Sequence, residues 1–186
     1  MVDWSQLLLP ILLSTALVFV ASSLIHMVLK FHDPEYLKLS NEDEVRAVVR
    51  AGSPSPGQYV IPQCSHGKGP PAPETLKKFE EGPVAVVYVR PTGMVKLGPF
   101  LGKWIVYVAV VSALTAYVAR SVLHPGEPYL NVFRLVGATA WLAYGWQSPA
   151  DSIWMGKPWI VTVKFLADAL VFALLTAGTF AWLWPR

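Results

Sequence analysis

Four stretches of this chain stay apolar for longer than any strand or core helix of a water-soluble domain needs. A helix takes about 20 apolar residues to cross a hydrocarbon core of roughly 30 Å. The four stretches cover 7–29, 100–123, 130–146 and 159–184. Between the first and second lies a segment, 31–97, of ordinary soluble character. The whole chain is 54% hydrophobic and 15% charged, against about 25% charged in a typical soluble domain. The deficit falls almost entirely outside 31–97. The expected fold is therefore an all-α membrane protein, a four-transmembrane-helix bundle with a small α+β insertion between spans 1 and 2. It divides as 1–30, 31–97 and 98–186.

The edges of the spans carry tryptophan. Trp4, Trp104, Trp146, Trp159, Trp182 and Trp184 fall near the expected ends, where an amphipathic ring favours the headgroup zone. The first span is read as a retained helix and not as a cleaved leader. Asp3 is the only charge before it, its apolar run exceeds a leader's, and Lys30 follows directly. Four spans place both termini on one side. Of the 15 Lys and Arg residues, all but Arg120, Arg134 and Arg186 fall on the other side or its flanking turns. The positive-inside rule then puts 31–97 in the cytoplasm and both termini outside.

Within 31–97 a short helix is expected over 39–52. Ser40 is its N-cap, Glu42, Asp43 and Glu44 fill its first turn, and Val45, Val48 and Val49 form an apolar stripe. Residues 57–63 and 84–90 read as strands, and 73–82 as a second helix with Leu76 and Phe79 on one face. Two strands alone are marginal in water. The insertion is expected to pack on the membrane surface, on the spans or on a partner.

Charges inside the spans are the candidates for function. Lys164 lies about 7 Å and Asp168 about 13 Å inside the cytoplasmic edge of the fourth span. Lysine can snorkel; aspartate is too short. An intramembrane acid faces the bundle interior and finds a partner, and Lys164, one turn away, is the nearest candidate. His26 is another. It shares a face of the first span with Thr15 and Ser22, within about 40° on the helical wheel, at about the depth of Lys164. A His26–Lys164–Asp168 cluster could relay protons, although helix-fixing salt bridges are the favoured reading. Arg134, about 6 Å inside the external edge, is expected to snorkel outward; the alternative is that it reaches Asp168.

Other features read as packing or surface. Ala169, Ala173, Ala177 and Ala181 recur every fourth residue, and Ala109, Ala113 and Ala116 form a second row. Such rows let helix backbones approach closely. In the turn 148–159, Asp151 and Ser152 are expected to cap a short interfacial helix, with Trp154 and Trp159 as anchors and Lys157 near headgroups. Cys64 and His66 share a loop but lack further ligands at metal-site spacing, so they read as surface residues. A single cysteine forms no internal disulfide. There is no glycine fingerprint for nucleotides, no P-loop and no internal repeat. The net charge of +3 is too small to argue for nucleic acid.

The combination "SSLIHMVLKFH", "PYLNVFRLVG", "DSIWMGKPW" and "LLTAGTFAWLWP" resembles a widespread group of small, uncharacterised bacterial multi-pass inner-membrane proteins. The likeness covers most of the chain and implies a bacterial inner membrane. That group has no assigned activity, so it implies no catalytic residue. The expectation is an integral membrane protein without catalytic residues, cofactor or metal, acting as a scaffold or accessory subunit. Its expected partners are the lipid bilayer and either another protein or further copies of itself. The alternative is a small proton-coupled transporter or channel using Asp168 and His26.

Overall fold

The computed structural model describes residues 1–64 and 70–186. The chain forms two compact units: Met1–Tyr36 with Lys96–Arg186, and Leu37–Val95.

The first unit is helical. It contains α1 (Trp4–Ser23), extended by a wide π turn at Leu24–Val28, and later α4 (Leu97–Val122), α5 (Tyr129–Gly145), α6 (Ser148–Met155) and α7 (Trp159–Trp182). The second unit holds α2 (Glu42–Ala51), β1 (Gly57–Ile61), α3 (Pro73–Glu81) and β2 (Ala85–Val89).

Among the described residues, three helices are long and apolar enough to cross a membrane: Trp4–Val28, Leu97–Val122 and Trp159–Trp182. Only 28, 33 and 39% of their most apolar windows is buried within the chain. Leu8, Leu12, Val106, Leu114, Val163 and Leu174 are among the side chains left exposed. Contiguous exposed apolar surface of this extent is costly in water and neutral in lipid. Helix α5 is shorter, at 17 residues, or about 26 Å along its axis.

α7 is the hub: it packs on α5 and α1, α4 packs on α1 and α5, and α6 rests on α7. The α5–α7 seam is built from small residues. Ala169, Ala173, Ala177 and Ala181 are buried. A Cβ added at Gly145 would lie 2.7 Å from the Ala169 Cβ, and one at Gly137 would lie 3.3 Å from the Ala177 Cβ. The alanine row therefore meets glycines on α5, and the two backbones come close enough for dispersion along the whole seam. One apolar cluster, with Val2, Leu7, Val132, Val136, Phe180 and Trp184, fills the end of the unit that holds both termini. A smaller one joins Val18, Val108 and Phe172, flanked by Trp104 and Tyr144. Two serines of α1 are tied to α4: Ser14 Oγ donates to Ser112 Oγ at 3.2 Å, and the Trp104 indole N–H donates to Ser22 Oγ at 2.8 Å.

In the second unit β1 and β2 pair antiparallel, with Tyr59 opposite Val87. None of its described residues is buried. Ser40 does not cap α2. The helix starts at Glu42 after Asn41, without a side-chain cap, and the acids Glu42, Asp43 and Glu44 complement its dipole instead. His66 lies outside the described residues, so the Cys64–His66 pair has no geometry here.

Candidate functional site

Five ionisable residues of the helical unit, His26, His32, Glu35, Lys164 and Asp168, gather where α1 ends and α7 begins. Three local devices bring them together. First, α1 closes on the π turn, with Leu29 N–H bonded to Leu24 O at 2.9 Å; such turns occur frequently at functional sites. His26 sits within it. Second, Lys30 adopts a left-handed conformation, φ 49°. This region disfavours a side chain, and strain of this sort persists only where surrounding contacts fix it. Third, Asp33–Glu35 forms a single 3-10 turn, which puts His32 and Glu35 on one side at i and i+3.

These devices return His32 and Glu35 to α7. His32 Nε2 lies 2.7 Å from Asp168 Oδ2, and His32 Nδ1 lies 2.9 Å from Glu35 Oε1. His26 Nε2 is 3.7 Å from the same Asp168 oxygen. The two imidazoles stack with centroids 4.6 Å apart. Lys164 Nζ completes the chain, 3.1 Å from Glu35 Oε1, and it donates to the Phe31 carbonyl at 2.9 Å. The side chains of His32, Glu35 and Asp168 are all nearly buried. Phe31 and Phe165 wall the cluster, each with its ring centroid 5.2 Å from that of His32.

The hydrogen-bonding options at His32 are few. Both of its ring nitrogens face carboxylate oxygens, which only accept when ionised. Each contact is therefore a hydrogen bond where the facing ring nitrogen supplies the proton. Glu35 is pulled in two directions. Burial raises its carboxyl, but the bonds from His32 and Lys164 outweigh burial and hold it below its ordinary value.

The sequence predicts a His26–Lys164–Asp168 cluster with Lys164 as the partner of Asp168. The structure brings the three together but pairs them differently. His32 takes Asp168, and Lys164 takes Glu35. The reason is reach: Lys164 extends toward the chain that follows α1, while Asp168 is one turn deeper and meets the imidazoles. Arg134 stays apart from the cluster. It lies on α5, in a shallow groove with Trp141, Leu170 and Leu174. His32 and Glu35 escape the sequence reading because their polarity assigns them to the insertion. Their signal is a histidine and an acid at i,i+3, straddling a proline, immediately after a span.

The α6 turn differs from its expected form. Asp151 and Ser152 lie inside α6 and not at its cap. The helix already starts at Ser148, after Gln147, with Pro149 in its first turn, where a missing N–H goes unnoticed. Ser152 and Ser148 instead face Thr162 of α7, at 2.6 and 3.3 Å. Lys157 donates to Ser148 Oγ at 3.1 Å, and its Nζ lies 4.1 Å from the centroid of the Phe165 ring. Trp154 is 80% exposed. No protein-family model, no curated protein and no solved structure matches this chain.

Proposed function

We propose that the chain is a four-span protein of a bacterial inner membrane, with 31–97 in the cytoplasm and both termini outside. In this reading it is a non-enzymatic scaffold or accessory subunit. α5 serves as the fourth span, its short length offset by close packing on α7. The Lys and Arg asymmetry supports the orientation.

One observation carries the scaffold reading. The part of the insertion that forms the second unit, Leu37–Val95, has no buried described residue, yet it presents Val48, Tyr59, Leu76, Phe79 and Tyr88 exposed. Apolar side chains at that density are covered when a partner docks. The clustered charges support the same reading, since they bond to one another and fix the chain leaving α1 onto α7. The test is site-specific photo-crosslinking from Val48 and Phe79 in cells, followed by intact mass of the gently purified particle. One defined adduct of fixed stoichiometry is expected. A homogeneous uncrosslinked monomer contradicts the scaffold role.

A second reading, proton-coupled transport, is favoured by the continuous run Lys164–Glu35–His32–Asp168 with His26 beside it. The apolar cluster around Phe180 occupies the opposite end, so a pathway would need more than one copy. Flux in proteoliposomes that Asp168→Asn abolishes, with particle mass unchanged, would select this reading.

A further inference from the structure

We propose that His26, His32 and Asp168 form a binding site for a first-row divalent cation of the zinc class, with Glu35 orienting His32 from behind. This goes beyond the scaffold reading and does not depend on it.

The donor set fits. Two imidazole nitrogens and a carboxylate oxygen are the ligand types zinc takes when a fourth position is left to water. The three ligand atoms lie within 4.8 Å of one another. Tetrahedral coordination at about 2.0–2.1 Å separates ligand atoms by roughly 3.3 Å. The His32–Asp168 separation of 2.7 Å must open slightly, and the His26–Asp168 separation of 3.7 Å must close slightly. The ligand nitrogens of His26 and His32, within 4.8 Å of each other, must converge as well, and rotation of the partly exposed His26 side chain supplies this closure. The cation replaces the proton that His32 Nε2 holds against Asp168, and that proton leaves to solvent.

The surroundings fit as well. A metal-bound histidine usually donates its other N–H to a carboxylate, which fixes tautomer and ring orientation. His32 Nδ1 already meets Glu35, and Glu35 is held in turn by Lys164. Phe31 and Phe165 supply an apolar wall. The His26 side chain is 39% exposed, so the helical unit itself does not seal that side of the cluster. The π turn and the left-handed Lys30 are independent signs, because both are local distortions whose effect is to bring these side chains together.

The test uses the full chain in detergent or nanodiscs, titrated with Zn²⁺ by calorimetry and with Co²⁺ by visible absorption. Saturable binding of one Zn²⁺ per chain is expected. His26→Ala and His32→Ala should each remove it, and Glu35→Gln should weaken it by roughly 10–100-fold. His124→Ala, far from the site in sequence, should leave it unchanged. His26 is partly exposed, so its loss should not unfold the bundle. If His32→Ala does, the wild-type Co²⁺ spectrum still decides. Intense d–d bands of a four- or five-coordinate nitrogen-bearing site support the proposal. A weak six-coordinate oxygen-type spectrum overturns it. So does the absence of saturable Zn²⁺ binding to the wild type, or binding that survives both histidine substitutions.

Discussion

Two phenylalanines show how differently the two units use apolar residues. Phe180 in α7 is fully buried, whereas Phe79 in α3 is 40% exposed. Around Phe180, helices seal against one another through small residues, and what remains exposed is apolar enough for lipid. Around Phe79, a two-stranded sheet and two short helices bury no described residue completely. The helical unit thus holds its own core, and the insertion lacks one among its described residues. Burial of a large side chain contributes about 1.5–3 kcal/mol, so a unit without such burial relies on something outside itself.

Substitutions in the two units should therefore separate widely. The largest effects belong to the helical unit. Phe180→Ala should destabilise it by about 3–5 kcal/mol, read as a lowered thermal midpoint in detergent. Asp168→Ala should cost a similar amount, about 3–5 kcal/mol, because it leaves His32 buried without this acid. Combining Asp168→Leu with His32→Phe should recover much of that loss, since removing both partners of a buried pair is often neutral. If the double variant is as unstable as the single, the pair is not the source of the stability.

Gly145→Ala comes next. Its new Cβ would meet Ala169 at 2.7 Å, and overpacking of this kind costs about 1–3 kcal/mol. A midpoint equal to the wild type's would show that the α5–α7 seam is looser than described. Phe79→Ala should shift the midpoint little, within about 0.5 kcal/mol for the isolated chain. A shift as large as that of Phe180→Ala would mean that the insertion has a core after all.

The smallest effect is pH-dependent. The Glu35 carboxyl lies below its ordinary value in the folded chain because the bonds from His32 and Lys164 outweigh its burial. Its contribution is therefore fully present above the unfolded carboxylate value and is lost as pH falls through the lowered folded value. Glu35→Gln should lower the neutral-pH midpoint and flatten the acid-side loss, so that the midpoints of variant and wild type converge as pH falls. An identical acid profile in wild type and variant would assign the titration to another group.

Much of the helical unit is legible in the sequence. Apolar runs of 24–26 residues mark α1, α4 and α7, because lipid imposes a length that composition alone reveals. The meeting of His26 and Asp168 is legible from helical phase and from how far each lies from the end of its apolar run. Ala169 to Ala181 announce the seam by spacing. The partners His32 and Glu35 are not legible. Their approach depends on the π turn, the left-handed Lys30 and a 3-10 turn, none of which has a hydrophobic period. They also sit just past a span, where a boundary drawn by polarity assigns them to the insertion. Ser148 escapes notice, and Ser152 is read as a cap, for a related reason. Their i,i+4 spacing reads as surface until Thr162 is placed opposite. The caps of α2 and α6 fall one to several residues from their expected places, because short polar helices have ends that no apolar period marks.

The point on which everything else depends is where the helical unit ends. Its compact fold reaches Tyr36, and the bonds of His32, Glu35 and Lys164 explain why. Hydrogen exchange by mass spectrometry on the full chain in nanodiscs tests this directly. The prediction is that amides of 29–36 exchange slowly, together with those of α7, while those of 42–64 and 70–95 exchange fast, and that Asp168→Ala speeds 29–36 more than it speeds α7. If 29–36 exchange as fast as the insertion in the wild type, the charge network does not hold them, and the boundary falls at the end of α1.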